Sequence, residues 1–305
     1  MMPEYNPASS FEVQVSDTEY SHAEGQSWLA RIYQPCGRGL FSAVLDVHGG
    51  AWSSGDRTGN AYVDQQLAAS GLVVVAIDFR LAPQYPYPAQ VADVNFGIRW
   101  LKANAHKFNA DSRCVGLLGV SSGGHTAILS AMRPHDPQYT ALSLTEAPAE
   151  DAEVVWVITL FPVLDSFARY LYAQKAGMQD LVTRTKNYFL TEEAMQEGNP
   201  QLLLDRGEKV QLQPVLVIQG TADNNIPLSI PERFANSYRI SGGKLDLELF
   251  PGMPHGFTGQ PSSETKRALE IMKAWIARQV AAQKIKVEGG SIQRGILKPI
   301  AEGGK

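Results

Sequence analysis

Cysteine is nearly absent: Cys36 and Cys114 are the only two in 305 residues. Two distant cysteines in so long a chain read as free thiols rather than a disulfide framework, as in a reducing compartment. Long apolar runs are missing too. The longest, Leu72 to Ile77, falls far short of the roughly 20 residues a membrane span needs, so no membrane partner is expected. The opening Met1-Met2-Pro3-Glu4-Tyr5-Asn6 has neither the basic nor the apolar stretch of a secretion signal, so the expected location is cytoplasmic. Neither charge sign is in excess: 27 Lys and Arg stand against 31 Asp and Glu, net −4. Such a surface offers no footprint for nucleic acid or an anionic membrane. No self-similar period of about 20 to 50 residues is visible, which excludes repeat architectures. What is present is globular: 44% hydrophobic and 19% charged residues, with 27 glycines and 18 prolines. That composition excludes a disordered chain, a collagen-like repeat and a coiled coil, and suffices for one extensive core.

The recurring unit is a strand followed by a helix. Residues 11–20 and 28–33 read as an opening β-hairpin. Short runs rich in β-branched residues follow at 43–47, 73–79, 115–120, 154–160, 215–219 and 245–250. The middle ones are continuous rather than alternating, as in strands covered on both faces. Segments 60–69, 90–105, 122–132, 229–241 and 263–282 have helical length and period. This alternation predicts an α/β fold with a parallel sheet and an active site at the carboxyl ends of its strands. Residues 163–212 are too long for a simple crossover and carry Phe167, Tyr170, Tyr188 and Phe189, so a small helical lid inserted into a catalytic domain of residues 1–283 is expected. Residues 284–305 read as a Gly- and Lys-rich non-catalytic tail.

Chemistry enters at Gly119-Val120-Ser121-Ser122-Gly123-Gly124, between a strand and a helix. A serine on a sharp strand-to-helix turn presents its hydroxyl above the sheet, and the glycines two residues to either side leave room for neighbouring backbone. The next amide, that of Ser122, points where an oxyanion would form. Alone, G-x-S-x-G arises by chance in about one chain of this length in ten; its place in the strand–helix rhythm is what counts. His48-Gly49-Gly50-Ala51-Trp52 follows the strand at 43–47, and its two glycines let successive amides point one way as oxyanion donors.

Ser121 needs a base. Of six histidines, His255 falls in a Gly/Pro-rich loop after the last strand, on the required edge of the sheet. His125 lies on the helix behind the serine and reads as packing; His48 reads as shaping the oxyanion loop. The orienting acid should lie between serine and histidine. Asp223, in the turn after the strand at 215–219, fits, and Asp165 is the rival. Asp78 and Arg80 read as a structural pair bracing the oxyanion loop.

Together, His48-Gly49-Gly50, Asp78-Phe79-Arg80-Leu81-Ala82-Pro83 with Tyr87-Pro88, the Ser121 turn, Gly220-x-x-Asp223 and His255-Gly256-Phe257 resemble the hormone-sensitive-lipase-like esterase group of α/β-hydrolases, over roughly residues 25–282. The resemblance implies a mostly parallel eight-stranded sheet flanked by helices. It also implies ester hydrolysis without metal or cofactor, a triad of Ser121, Asp223 and His255, and oxyanion donors at Gly49, Gly50 and Ser122. The sequence departs from the group at Ala51, where a third glycine is common, at Val120, where Asp or His is common, and at Ser122, where Ala is common. These departures bear on leaving-group preference, not on mechanism.

The expected function is therefore serine carboxylesterase action on short-chain or aryl esters, small-molecule substrates, with Trp52, Phe167, Tyr188 and Phe189 lining the pocket. An aryl-formamide or other amide hydrolase would use the same triad. A non-catalytic receptor on this fold would lack the histidine that is present here. The sequence leaves a homodimer open.

Overall fold

The computed structural model describes residues 2–23 and 25–296, with side chains through Glu288 except that of Ala23. Eight strands, β1 (Val13–Ala23), β2 (Gln26–Pro35), β3 (Phe41–Val47), β4 (Leu72–Ile77), β5 (Ala110–Val120), β6 (Val157–Leu160), β7 (Val215–Gly220) and β8 (Leu245–Phe250), form one sheet. Their order is β1-β2-β4-β3-β5-β6-β7-β8. Only β2 runs against the rest, pairing antiparallel with β1 and β4; the other neighbours are parallel. This is the expected α/β-hydrolase sheet.

The continuous apolar runs have a direct cause. Ala43, Leu45 and Val47 of β3 and Val73, Val75 and Ile77 of β4 face one apolar layer. Val44, Val74 and Ala76, alternating with them, face a second. Helices α2 (Ala89–Asn104) and α3 (Ser122–Met132) cover the first face, and α1 (Ala61–Ala69) and α9 (Ser263–Ile296) cover the second. A strand buried on both sides is mostly apolar on both, although β3 also buries Ser42 and Asp46.

Between β6 and β7 the chain forms α4 (Ser166–Lys175), α5 (Gln179–Phe189), α6 (Glu192–Glu197) and α7 (Pro200–Asp205), and α8 (Ser229–Ile240) follows β7. The regular structure of the long insertion is thus helical, and it is joined firmly to the sheet domain. Tyr87 N donates to Tyr188 O at 2.8 Å, the Tyr87 hydroxyl bonds Tyr139 at 2.7 Å and Glu197, and Arg133 binds Glu197 at 2.6 Å.

Two expectations need correction. The last helix does not stop at residue 282 but continues to Ile296. The start of the supposed tail is docked: Gln283 donates to Arg113 O at 3.0 Å, Lys284 pairs with Glu4 at 2.7 Å, and Val287 packs against the second layer one heptad after Val280. Residues 297–305 of that segment lie outside the described residues. Asp78 and Arg80 take separate partners: Asp78 accepts from the Arg57 amide and guanidinium, both at 2.8 Å, and Arg80 pairs with Asp93 of α2 at 2.8 Å. Asp78 still braces the loop after His48, through Arg57 rather than Arg80.

Candidate active site

Each sequence-expected catalytic side chain leaves the sheet at the carboxyl end of a strand: Ser121 after β5, Asp223 after β7, His255 after β8. Ser121 sits at φ 54°, ψ −116°, a backbone region that non-glycine residues occupy only under constraint. The turn is held by Ser121 N donating to Leu160 O at 2.9 Å and Val163 N donating to Ser121 O at 3.1 Å. Its tightness explains Gly123, where an added Cβ would lie 2.1 Å from Val47 O and 2.3 Å from His48 O. The nucleophile turn and the oxyanion loop pack backbone to backbone.

Three residues then form a chain of hydrogen bonds. His255 Nε2 stands 3.0 Å from Ser121 Oγ, and His255 Nδ1 stands 2.8 Å from Asp223 Oδ2. Asp223 is held in turn by the Asn225 and Ile226 amides, each at 2.8 Å, and by Gln219 Nε2 at 3.0 Å. Burial pushes its carboxyl up, but the bond to His255, that ring's charge and the two amides together bring it below the usual range. Asp223 is therefore ionised beside the imidazole, where a carboxylate fixes the tautomer and stabilises the imidazolium. The rival Asp165 is occupied elsewhere: it caps α4 by accepting from Ala168 N, and binds Asn199 at 2.9 Å and Arg233 at 3.2 Å.

Gly49, Gly50 and Ser122 line one cavity of about 500 Å³ with Ser121 and His255. Ser122 opens α3, so its amide is one of the helix's unpaired N-terminal donors. Gly50 has φ 120°, and a Cβ there would fall 1.9 Å from Ser54 O, so no side chain fits that bend. The Ser122 hydroxyl, a departure from the group, accepts from the Trp52 amide at 3.2 Å and ties the oxyanion loop to the nucleophile helix. His48 stacks on Phe79 with ring centres 4.1 Å apart, its Nδ1 2.7 Å from Gly49 O. The expectation that it shapes the loop fits this geometry.

The aromatic residues expected to line the pocket are elsewhere. Trp52, Tyr188 and Phe189 are each 1% exposed or less, and none is among the cavity-lining residues. Trp52 stacks on Tyr188 at 4.9 Å and 2° and meets Phe189 edge-on. Its Nε1 donates to His125 Nδ1 at 3.3 Å, and His125 Nε2 donates to Gly198 O at 2.7 Å. Burial pulls the His125 imidazole down to about 4, so it stays neutral in a packing role. Phe167 lies against Tyr170 and also stays outside the cavity. Trp52, Tyr188 and Phe189 instead pack on one another, whereas Phe167 on α4 is only partly buried.

The cavity is walled instead by Val120, Phe161, Val163 and Leu181, with Arg169, Asp180, Arg184 and Asn225 as polar members. Sequence reasoning missed all of these except Val120. For Arg169 a signal existed. The buried positions of α4 are 166, 169, 170 and 173, a helical stripe that calls for apolar residues, and an arginine occupies one of them. Two larger clefts, about 600 and 750 Å³, share Lys102, Ser112 and Arg113 near the start of β5. Neither holds a nucleophile beside a base, so chemistry rather than volume selects the Ser121 cavity. Among the described residues no helix is long and apolar enough to cross a membrane.

Comparison with known proteins agrees with this geometry. The chain is 32% identical over 247 residues to Esterase LipC of Mycobacterium tuberculosis, covering 78% of this chain and 59% of that protein. It is 26% identical over 258 residues to the probable carboxylic ester hydrolase LipM of the same organism, covering 83% and 58%. It thus spans about three-fifths of the length of these relatives. Esterase 2 of Thermogutta terrifontis, in a structure phosphoramylated by tabun, superposes with a TM-score of 0.70 at 23% identity, covering 87% of this chain and 94% of that one. The family model BD-FAE matches residues 31–238. The chain, with its Ser121 turn and hydrolase sheet, belongs to the BD-FAE family among the α/β-hydrolases.

Proposed function

We propose that the protein is a serine carboxylesterase acting on esters of small acyl groups. The observation that carries this reading is the unbroken chain from Ser121 Oγ through His255 to Asp223 at 3.0 and 2.8 Å, beside the amides of Gly49, Gly50 and Ser122. Ser121 Oγ attacks the acyl carbonyl while His255 Nε2 takes its proton. The three amides hold the tetrahedral oxyanion, each worth about 3 kcal/mol of barrier. His255 then protonates the leaving alcohol, and water, deprotonated by the same imidazole, releases the acid from the acyl-enzyme. The relatives LipC and LipM bear names of ester hydrolases, which supports the reading. The presence of His255 counts against a non-catalytic receptor. Two unpaired thiols, Cys36 exposed and Cys114 buried, support a cytoplasmic location.

The test is turnover of p-nitrophenyl acetate and butyrate beside aryl formamides of similar size. We expect ester hydrolysis with a burst of nitrophenol and at least 10³-fold loss in Ser121→Ala. Faster cleavage of the formamides would instead favour amide hydrolysis by the same triad.

A further inference from the structure

Arg169 is 1% exposed and has no carboxylate within ion-pair distance among the described residues, whereas the other arginine lining the cavity has one. That residue, Arg184 at the mouth, pairs with Asp180 at 2.8 Å. The contacts of Arg169 are neutral: Thr185 Oγ1 at 3.0 Å, Asn225 Oδ1 at 3.4 Å and the face of Trp52 at 5.2 Å. Its Nε finds no hydrogen-bond partner among the described residues. Burial alone pulls the guanidinium down to about 10, which leaves it charged at neutral pH. A buried cation without an anion is a standing cost to the fold, and arginine's planar fork suits a carboxylate above other partners. It lines the same cavity as Ser121.

We propose that Arg169 is a specificity-determining residue that receives a carboxylate of the substrate, so that the enzyme's preferred esters are anionic. This rests on the esterase reading above for the word substrate, but the anion site itself does not. The carboxylate can be borne by the acyl group, as in a dicarboxylic acid monoester, or by the alcohol, as in an acylated hydroxy acid. Among the described residues Asp180 is the one acid that lines the cavity, and Arg184 already pairs with it, so Arg169 is left as a lining cation without a lining anion.

Binding and turnover are measured separately. Calorimetry on the full chain compares glutarate and 4-hydroxybenzoate with glutaramide and 4-hydroxybenzamide, in the wild type, Arg169→Met and the charge-keeping Arg169→Lys. We expect at least tenfold tighter binding of a carboxylate than of its amide, lost in Arg169→Met and largely kept in Arg169→Lys. Equal binding of acid and amide by the wild type, or a preference that survives Arg169→Met, overturns the proposal, and the first of these needs no variant to fold. Turnover then locates the carboxylate. A raised kcat/KM for p-nitrophenyl hydrogen glutarate over p-nitrophenyl valerate places it on the acyl side, and for 4-acetoxybenzoate over 4-acetoxybenzamide on the alcohol side. Carboxylate binding through Arg169 with no ester hydrolysed would sink the esterase reading and leave the anion site standing.

Discussion

Ser121, His255 and Asp223 lie 134 and 32 positions apart in pairs along the chain, yet all three are legible in the sequence. Each sits in a short Gly-, Asn- or Pro-rich turn after a strand, and in a parallel sheet such turns converge on one edge. Arg169 and Phe161 are not legible to the same reading, because they are defined by which face of a helix or turn meets the cavity, not by a motif. The assignment of the acid is checked by substitution. Asp223→Asn should lower kcat about 10⁴-fold by admitting the wrong imidazole tautomer. Asp165→Asn, which can still cap α4, should stay within about threefold of wild type. Steady-state kinetics on p-nitrophenyl butyrate decides, and reversed effects would transfer the acid to the loop after β6. Trp52 tests the corrected pocket. As a fully buried ring stacked on Tyr188 it should cost about 3–5 kcal/mol of stability in Trp52→Ala, seen as a lowered unfolding midpoint. A change confined to KM would return it to the substrate wall.

Strands and helices are readable from composition because two-sided burial forces a continuous apolar run in β4 and a mostly apolar one in β3, but element ends are less so. β4 ends at Ile77, and the next residue, Asp78, turns its carboxylate to Arg57, a partner 21 residues earlier in sequence that no local pattern reveals. The α9 extension past Ala282 is hidden in the same way, since its stabilising contacts are with Glu4 and Arg113. One junction between elements carries a pH signature. Asp46 of β3 and Asp64 of α1 are both buried, and among the described residues neither Asp64 oxygen nor Asp46 Oδ2 has a hydrogen-bond partner. Burial raises the Asp64 carboxyl well above its ordinary range, and the nearby charge of Asp46 adds to this. Burial likewise raises Asp46, partly offset by Asn60. A carboxyl raised in the folded state contributes stability below its unfolded pKa and loses it as pH climbs above that value. Wild-type stability should therefore fall from about pH 5 to pH 8, and Asp64→Asn should flatten the fall by at least about 1.4 kcal/mol, one pKa unit's worth. Urea melts at the two pH values measure this. Parallel profiles for the two proteins would mean that the pair is ionised in the fold without penalty.

At the scale of the whole molecule, the helical insertion is fastened to the sheet domain by the Trp52–Tyr188 stack, by His125 reaching Gly198, and by Arg133 and Tyr87 converging on Glu197. A cover held this way does not lift at an oil–water boundary, so no jump in rate is expected when substrate exceeds its solubility. The cavity lining offers few apolar side chains, Val120, Phe161, Val163 and Leu181, and intersperses them with Arg169, Asp180 and Arg184. Each methylene contributes about 0.8 kcal/mol only while it finds apolar surface. Among neutral p-nitrophenyl esters kcat/KM should peak at short acyl chains and fall steeply by decanoate. A series still rising at palmitate would require a long apolar channel that this cavity does not provide.

Covalent labelling tests the central claim most directly. An activated p-nitrophenyl phosphonate is incubated with the full chain, the released nitrophenol is counted against protein, and the modified peptide is sequenced by mass spectrometry. The account predicts one equivalent of adduct, located on Ser121 alone, with ester hydrolysis lost in proportion and labelling abolished in His255→Ala. Adduct on Ser122 or any other side chain, or hydrolysis that persists after Ser121 is fully modified, would contradict it.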